Sequence, residues 1–452
     1  MKTQSRGAAE MQSGELDSAS PCLGDSALDR RDAASPVGEQ EHTNIEDGFN
    51  VFDAVEMPTD WRMERLGDIA TRVTGGGTPS TKVSEYWDGD IPWTTSAVIG
   101  EEDIYLTKHQ RCITPKGLEE SSTQLIPKGS VLIGTRVGVG KAAVTTCDIA
   151  ISQDLTALMP KPGVSAEFIA LVLKFAPVVS WFEENKRGTT IKGVSRNDVL
   201  RLMVPFPGFP EQRGIAGVLR TVQGAKEACE RVLAATRQLK QSLLHHLFTY
   251  GPVPLAHAAH VQQRELESGV FPATWIVKRF DEFATLQRGQ DLARWEFKSG
   301  TVPVIGATTA IGYHDTANVK GPGVTVVRSG SSAGKPLFVD RDFWAHNVVL
   351  YVKDFHGNDP KFVFYMLLVL GLTKFRSGVA VPTLNRNTFS GIQIAVPPLT
   401  EQRAIAAQLA AVDAKLAAGE ARRAALAAVF QSLLRHLMTG KVRLPEFAKG
   451  QP

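Results

Sequence analysis

Two glycine-lysine loops are the first places where residue type and spacing could do chemistry. Gly134-Thr-Arg-Val-Gly-Val-Gly-Lys141-Ala and Arg328-Ser-Gly-Ser-Ser-Ala-Gly-Lys335-Pro each close on the Gly-Lys of a nucleotide-phosphate loop. Such a loop also needs a glycine five residues before the second one, and a Ser or Thr after the lysine to reach magnesium. Thr135 and Ala142 fail both requirements in the first loop, as do Ser329 and Pro336 in the second, so an ATP site is not expected. Two readings stay open. Each loop is either a turn whose backbone can approach a phosphate chain, carrying Arg136 and Lys141 or Arg328 and Lys335, or a solvated hairpin with ordinary basic residues.

The remaining reactive residue types do not assemble. His245 and His246 are adjacent on a helical stretch and point in different directions, and His257 and His260 lack acidic or cysteine companions at ligand spacing, so no metal site is expected. Cys22, Cys112, Cys147 and Cys229 lie far apart with no Cys-x-x-Cys pair, which predicts neither a disulfide framework nor a cysteine-rich zinc site. No Gly-x-Ser-x-Gly elbow, His-Glu-x-x-His or Asn-Pro-Pro-aromatic motif occurs, and nothing singles out a carboxylate pair. The sequence predicts a catalytically silent chain.

The chain has 452 residues, 43% apolar and 21% charged, enough for two or three cored domains. No apolar run approaches the ~20 residues of a membrane helix. The start of the chain lacks a basic and apolar leader, so cytoplasmic residence is expected. Charge is uneven. Residues 1–60 hold four basic against thirteen acidic residues, and the remainder 46 basic against 34 acidic. A body with a net charge of +12 favours a polyanionic partner, though a charge sum fixes neither partner nor fold.

The elements that position these loops come in duplicate. Pro58-x-x-Trp61 and Arg65-Leu66 match Pro272-x-x-Trp275 and Arg279-Phe280 at a shift of 214; Gly140-Lys141 matches Gly334-Lys335 at 194; and Glu211-Gln212-Arg213 matches Glu401-Gln402-Arg403 at 190. The falling shift places the length difference mostly between Trp93 and Val131 of the first copy. A constant frame with a variable interior fits a scaffold that presents different loops. Within each copy, short β-branched runs separated by Gly, Pro and Thr predict strands, with helices expected over 166–181 and 361–373. The four tryptophans Trp61, Trp87, Trp93 and Trp275 are assigned to the core.

Each copy then ends in a long proline-free stretch opened by Glu-Gln-Arg. In the second, Ile405, Leu409, Val412, Leu416, Gly419, Leu426, Phe430 and Leu433 recur in steps of four and three, broken by Arg423. The first is looser, with Ile215, Leu219, Val222, Leu233 and Leu243 on the seam and Lys226 and Lys240 intruding. The two stripes are expected to cover each other, with close approach at Gly217, Gly224 and Gly419; packing on the globular parts or on another chain is the alternative.

At Thr74-Gly-Gly-Gly-Thr-Pro-Ser80, Glu85-Tyr-Trp-Asp-Gly-Asp-Ile-Pro-Trp93, Gly188-Thr-Thr-Ile-Lys-Gly-Val194 and the proline-led Glu-Gln-Arg blocks entering both long helices, the chain resembles specificity subunits of type I restriction-modification systems. The resemblance covers about residues 58–445. It implies an α+β fold: two tandem mixed α/β target-recognition domains, each followed by a long helix, with the helices pairing as an antiparallel coiled coil. The expected boundaries are a disordered acidic tail at 1–50, recognition domains at 51–210 and 275–400, spacer helices at 211–250 and 401–440, a linker at 251–274 and a C-terminal tail at 441–452. It further implies a split double-stranded DNA target, two methyltransferase subunits and, through them, restriction subunits. S-adenosylmethionine, ATP and Mg2+ would sit on those partners, with no cofactor on this chain and no membrane. Carried onto matching positions, it makes Thr78, Ser80, Lys82, Arg136, Lys141 and Lys192 DNA-facing, with Arg328, Ser329, Lys335, Thr383 and Asn385 in the second domain. A protein-binding coiled-coil scaffold is the alternative from another class.

Overall fold

The computed structural model describes residues 48–53, 55–188, 192–378, 381–444 and 446, so most of the acidic tail, including Cys22, lies outside the described residues. The described chain forms two compact units. One contains the residues up to Lys226 and those from Ala425 on; the other runs from Glu227 to Ala424. Among the described residues no helix is long and apolar enough to cross a membrane.

In the first unit, Ala70–Gly75, Leu155–Pro160, Val131–Gly134, Ala142–Thr145 and Tyr105–Leu106 form a five-stranded sheet in that order. Val131, Leu132, Ile133 and Leu158 are buried completely, and the continuous apolar run explains why both faces of this sheet are covered. A second sheet of four strands has Trp87–Thr94 and Ile149–Ile151 paired in parallel at its centre. A third pairs Arg62–Arg65 with Leu202–Phe206, and Phe49–Asn50 adds to it in parallel. The boundary expected at residue 51 therefore moves, because the last residues assigned to the tail already belong to a sheet. The helix expected over 166–181 is broken into Ala166–Val172 and Ala176–Glu184. Pro177 in the first turn of the second helix lacks the N–H that a continuous helix needs.

The second unit repeats this plan. Thr285–Arg288, Val349–Asp354, Gly323–Val327 and Pro336–Val339 stand in the order of their counterparts, Val302–Ile305 pairs in parallel with Trp344–Ala345, and Ile276–Arg279 pairs with Gln393–Val396. Arg111–Ile113, antiparallel to Trp87–Thr94, has its counterpart in Ala310–His314, antiparallel to Val302–Ile305, while the first copy's additional strands Tyr105–Leu106 and Gln124–Ile126 fall in the stretch where the sequence is longer. All four assigned tryptophans are under 9% exposed.

The long helices run from Phe209–Tyr250 and Leu399–Met438. Their Glu-Gln openings are buried joints. The Gln212 side chain accepts from the Ser165 amide at 2.9 Å and donates to the Pro207 carbonyl at 2.9 Å; Gln402 does the same with the Asp359 amide at 2.9 Å and the Pro397 carbonyl at 3.0 Å. Ser165 and Asp359 are the N-caps of the core helices Ala166–Val172 and Pro360–Leu370. Beside each glutamine, the glutamate accepts an indole N–H: Trp61 to Glu211 at 3.1 Å and Trp275 to Glu401 at 2.9 Å. In the first unit Arg443 adds a bidentate contact to Glu211, at 2.8 and 2.7 Å, and reaches Asp60 at 3.1 Å. These bonds hold the Arg443 guanidinium well above its usual range. The start of the stretch expected to be a tail, 441–452, is thus tied to the first domain.

In the first unit, Ile215 and Leu219 share a core with Phe430, Leu434 and Leu437, while Val222 and Leu433 pack at its margin. In the second unit, Leu243 and Leu247 pack with Ile405 and Leu409, and Leu233 lies against Gly419. Val412, Leu416 and Leu426 are half-buried. The lysines that break the stripe have partners. Lys226 pairs with Glu102, and Lys240 meets Asp413 at 2.5 Å with the Tyr365 hydroxyl on the same carboxylate at 2.7 Å. Burial first, and Asp413 second, push the Tyr365 phenol up, so it remains a donor. Arg423 lies 3.9 Å from Glu230. Of the three glycines expected at close approach only Gly419 meets a neighbour: an added Cβ would fall 2.7 Å from Leu233 Cδ2, whereas Gly217 and Gly224 face open space. Close approach therefore accounts for one glycine and not for the other two.

At the break between the paired helices of the first domain, Lys174 donates to the carbonyls of Glu101 at 3.0 Å and Ala142 at 2.8 Å. Burial, only partly offset by the nearby carboxylates of Asp103 and Glu102, lowers its pKa to about 8. Between pH 8 and the unfolded lysine value of about 10.4 the unfolded chain then holds one more proton, so this group makes stability rise with pH over that window. Denaturant unfolding of wild type and Lys174→Met across it should show a steeper rise in the wild type. By the same measurement, Gln212→Leu or Gln402→Leu should destabilise by about 1–3 kcal/mol by orphaning buried backbone groups. Gly419→Leu should cost about 1–3 kcal/mol by overpacking, while Gly217→Ala and Gly224→Ala should each gain about 0.5–1 kcal/mol.

Candidate nucleic-acid interface

The glycine-rich turn of the first domain grows out of the buried strand Val131–Gly134. Gly134 donates to Lys141 at 2.8 Å, Gly140 donates back to Gly134 at 2.9 Å, and Gly138 and Gly140 take φ of 62° and 84°. Only glycine adopts such angles without strain, which is why the turn is so rich in it. Asp154 fixes the turn from below. Its carbonyl accepts the Thr135 amide at 2.9 Å, and its carboxylate takes the Ser96 hydroxyl, which also contacts the Val137 carbonyl. From the side, Val194 donates to the Thr135 carbonyl at 2.8 Å. Gly193 permits this, since an added Cβ would stand 2.7 Å from the Thr135 oxygen.

That packing brings three of the sequence-predicted residues together. Arg136, Lys141 and Lys192 line one cleft of about 730 Å3 along with Lys174 and Lys186. Arg136 and Lys192 are exposed, while Lys141 is half-buried. Five cations against Glu101, Glu102 and Glu183 leave a basic surface suited to phosphate oxygens. Residues 189–191 of the neighbouring motif lie outside the described residues.

Thr78, Ser80 and Lys82 are on a separate loop. Gly77 donates to the Ile151 carbonyl at 3.0 Å, the Thr78 hydroxyl donates to the Gln153 side chain, and the Ser80 carbonyl accepts the Trp87 indole at 3.1 Å. The Ser80 hydroxyl accepts the Lys82 amide at 3.4 Å. This loop and the glycine-rich turn are therefore anchored on one short segment, Ile151-Ser-Gln-Asp154. Sequence reasoning missed that segment. The polar trio between two apolar runs was its only signal.

In the second domain, Arg328 donates to Val348 at 2.8 Å and accepts from Leu384 at 2.7 Å, Gly330 donates to Pro382 at 2.9 Å, and Ser329 bridges Thr383. Arg328, Ser329 and Thr383 are thereby brought together, with Lys335 exposed at the far end of the same turn. The bonding places Arg328 opposite Thr135, and Ser329 opposite Arg136, a register the Gly-Lys match alone does not reveal. Arg328 Nε is buried without a hydrogen-bond partner among the described residues, and burial together with the neighbouring Arg288 lowers its pKa. Asn385 caps the short turn Arg386–Thr388, its side-chain oxygen accepting from Asn387 at 3.0 Å. Its counterpart by shift, Ser195, caps Arg196–Leu200 in the same way. Cys112, Cys147 and Cys229 carry no disulfide, and no His/Cys/Asp/Glu group among the described residues could hold a metal ion.

The family model of the type I restriction modification DNA specificity domain matches residues 58–232 and 272–427. The MjaIX specificity subunit of Methanocaldococcus jannaschii is 28% identical over 260 residues, covering 57% of this chain and 60% of that relative. The MjaVIII specificity subunit of the same organism is 22% identical over 434 residues, covering 88% and 97%. Among solved structures, the S subunit of a type I restriction-modification system from M. genitalium superposes with a TM-score of 0.61 at 17% identity, covering 83% of this chain and 96% of that one, a likeness of fold. Two matches to one domain model, spread over a frame that the fold repeats, make this chain a member of the type I restriction modification DNA specificity family.

Proposed function

We propose that this chain is the specificity subunit of a type I restriction-modification assembly, with each domain reading one half of a split DNA target. The observation that carries this reading is the duplicated hydrogen-bond frame, which holds basic and amide-bearing loops at the same edge of each domain. The two long helices act as an antiparallel coiled-coil spacer that sets the gap between the half-targets. Supporting this, the beginning of the first helix shares a core with the end of the second in one unit, and the end of the first meets the beginning of the second in the other. Two similar frames in one chain suit two copies of a methyltransferase subunit, which would bring S-adenosylmethionine, and through them restriction subunits using ATP and Mg2+. The chain itself contributes no catalytic group and works in the cytoplasm, where its DNA is.

Binding of the full chain, with its methyltransferase partner, to target duplex should weaken steeply as salt rises, with a slope of about −0.9 for each phosphate neutralised. A salt-independent affinity would favour the protein-binding scaffold instead. Replacing residues 61–210 by the corresponding domain of another family member should change one half of the methylated target and leave the other intact. Simultaneous change of both halves would overturn the two-reader assignment.

A further inference from the structure

Outside the residues already singled out, the two domains hold one more matched feature. Each carries an exposed or half-exposed side-chain amide at the same point of the frame, Gln153 in the first and Asn347 in the second. The equivalence comes from bonding. Ser152 donates to Thr94 as His346 donates to Ile305, both at 3.0 Å; Thr135 donates to Asp154 as Arg328 donates to Val348; and Gly77 donates to Ile151 as Gln290 donates to Ala345. Glycine precedes both loop residues for one reason: a Cβ on Gly76 would stand 1.9 Å from the Ile151 oxygen, and one on Gly289 2.2 Å from the His346 oxygen. The loop can then lie flat against the amide-bearing segment.

In both domains that loop supplies a neighbour for the amide. The Thr78 hydroxyl donates to Gln153 Oε1, and Asn347 Nδ2 donates to Asp291 Oδ1 at 2.6 Å. Gln153 keeps its amide N–H donors and a second lone pair on its oxygen; Asn347 keeps one N–H and its oxygen. A donor and an acceptor side by side match the N7 and N6 positions that adenine shows in the major groove. In the second domain an arginine adjoins the same residue, Arg288 Nε donating to the Asn347 main-chain carbonyl at 3.3 Å. His346 Nε2 lies 3.5 Å from Asp291 Oδ1.

We infer that Gln153 and Asn347 are the paired base-reading side chains of the two domains, each held toward an adenine edge by Thr78 or Asp291. This rests on the DNA-reading function proposed above. The test is selection of bound sequences from randomised duplex DNA by the full chain in complex with its methyltransferase subunit, comparing wild type, Gln153→Met and Asn347→Leu. Gln153→Met should lose about 10- to 100-fold of the preference at one A·T pair in one half-target, with the other half unchanged. Asn347→Leu should do the converse. The unaffected half reports in each case that the variant is folded and bound. Selected sequences identical to wild type, a uniform loss with no change of sequence, or a change at a G·C pair would each overturn the inference. A wild-type complex that selects no sequence at all would instead overturn the DNA-reading function.

Discussion

The fold depends on the buried glutamine at the start of each long helix. Gln212 and Gln402 each satisfy one proline carbonyl on the strand side and one capping amide on a core helix, so strand, core helix and long helix meet at one side chain. Buried backbone groups without partners are costly, and no apolar residue could replace the amide there. The adjacent glutamate does parallel work with the tryptophan of Pro-x-x-Trp. The direction in which each long helix leaves its domain is thereby fixed by hydrogen bonds, which are directional, and its position by core packing, which is not.

From that joint outward, the two domains share bonds and differ in side chains. Their glycine-rich turns close with the same backbone pairs, yet the first turn exposes Arg136 where the second offers Ser329. A frame defined by main-chain groups tolerates such exchange, because the loop residues contribute little to its stability. Different surfaces can then be displayed on an unchanged scaffold, which is the property that the proposed reading of two unlike half-targets requires.

The seams of the long helices show the same economy. A lysine on an apolar stripe is destabilising unless its charge is met, and Lys226 and Lys240 are met by Glu102 and Asp413. Each pair links a helix to something specific in its own unit, where a leucine would accept many registers. Gly419 adds a steric constraint, since Leu233 occupies the space of its missing side chain.

Periodicity and repetition, taken from the sequence alone, determined the two-copy plan, the long helices, the buried tryptophans and the glycine-rich turns, because each is written in local spacing. The helix break at Pro177 and the strand at Phe49–Asn50 were not legible, the first because apolar spacing continues across it and the second because a two-residue strand depends on its partner Leu202–Phe206. The candidate interface was half legible. Basic residues on glycine turns stand out by composition, whereas Gln153 and Asn347 are ordinary amides until the fold sets Thr78 and Asp291 beside them. Tertiary structure alone decided which loops meet and in what register, since hydrogen bonds between residues 56 or 75 positions apart leave no trace in local sequence.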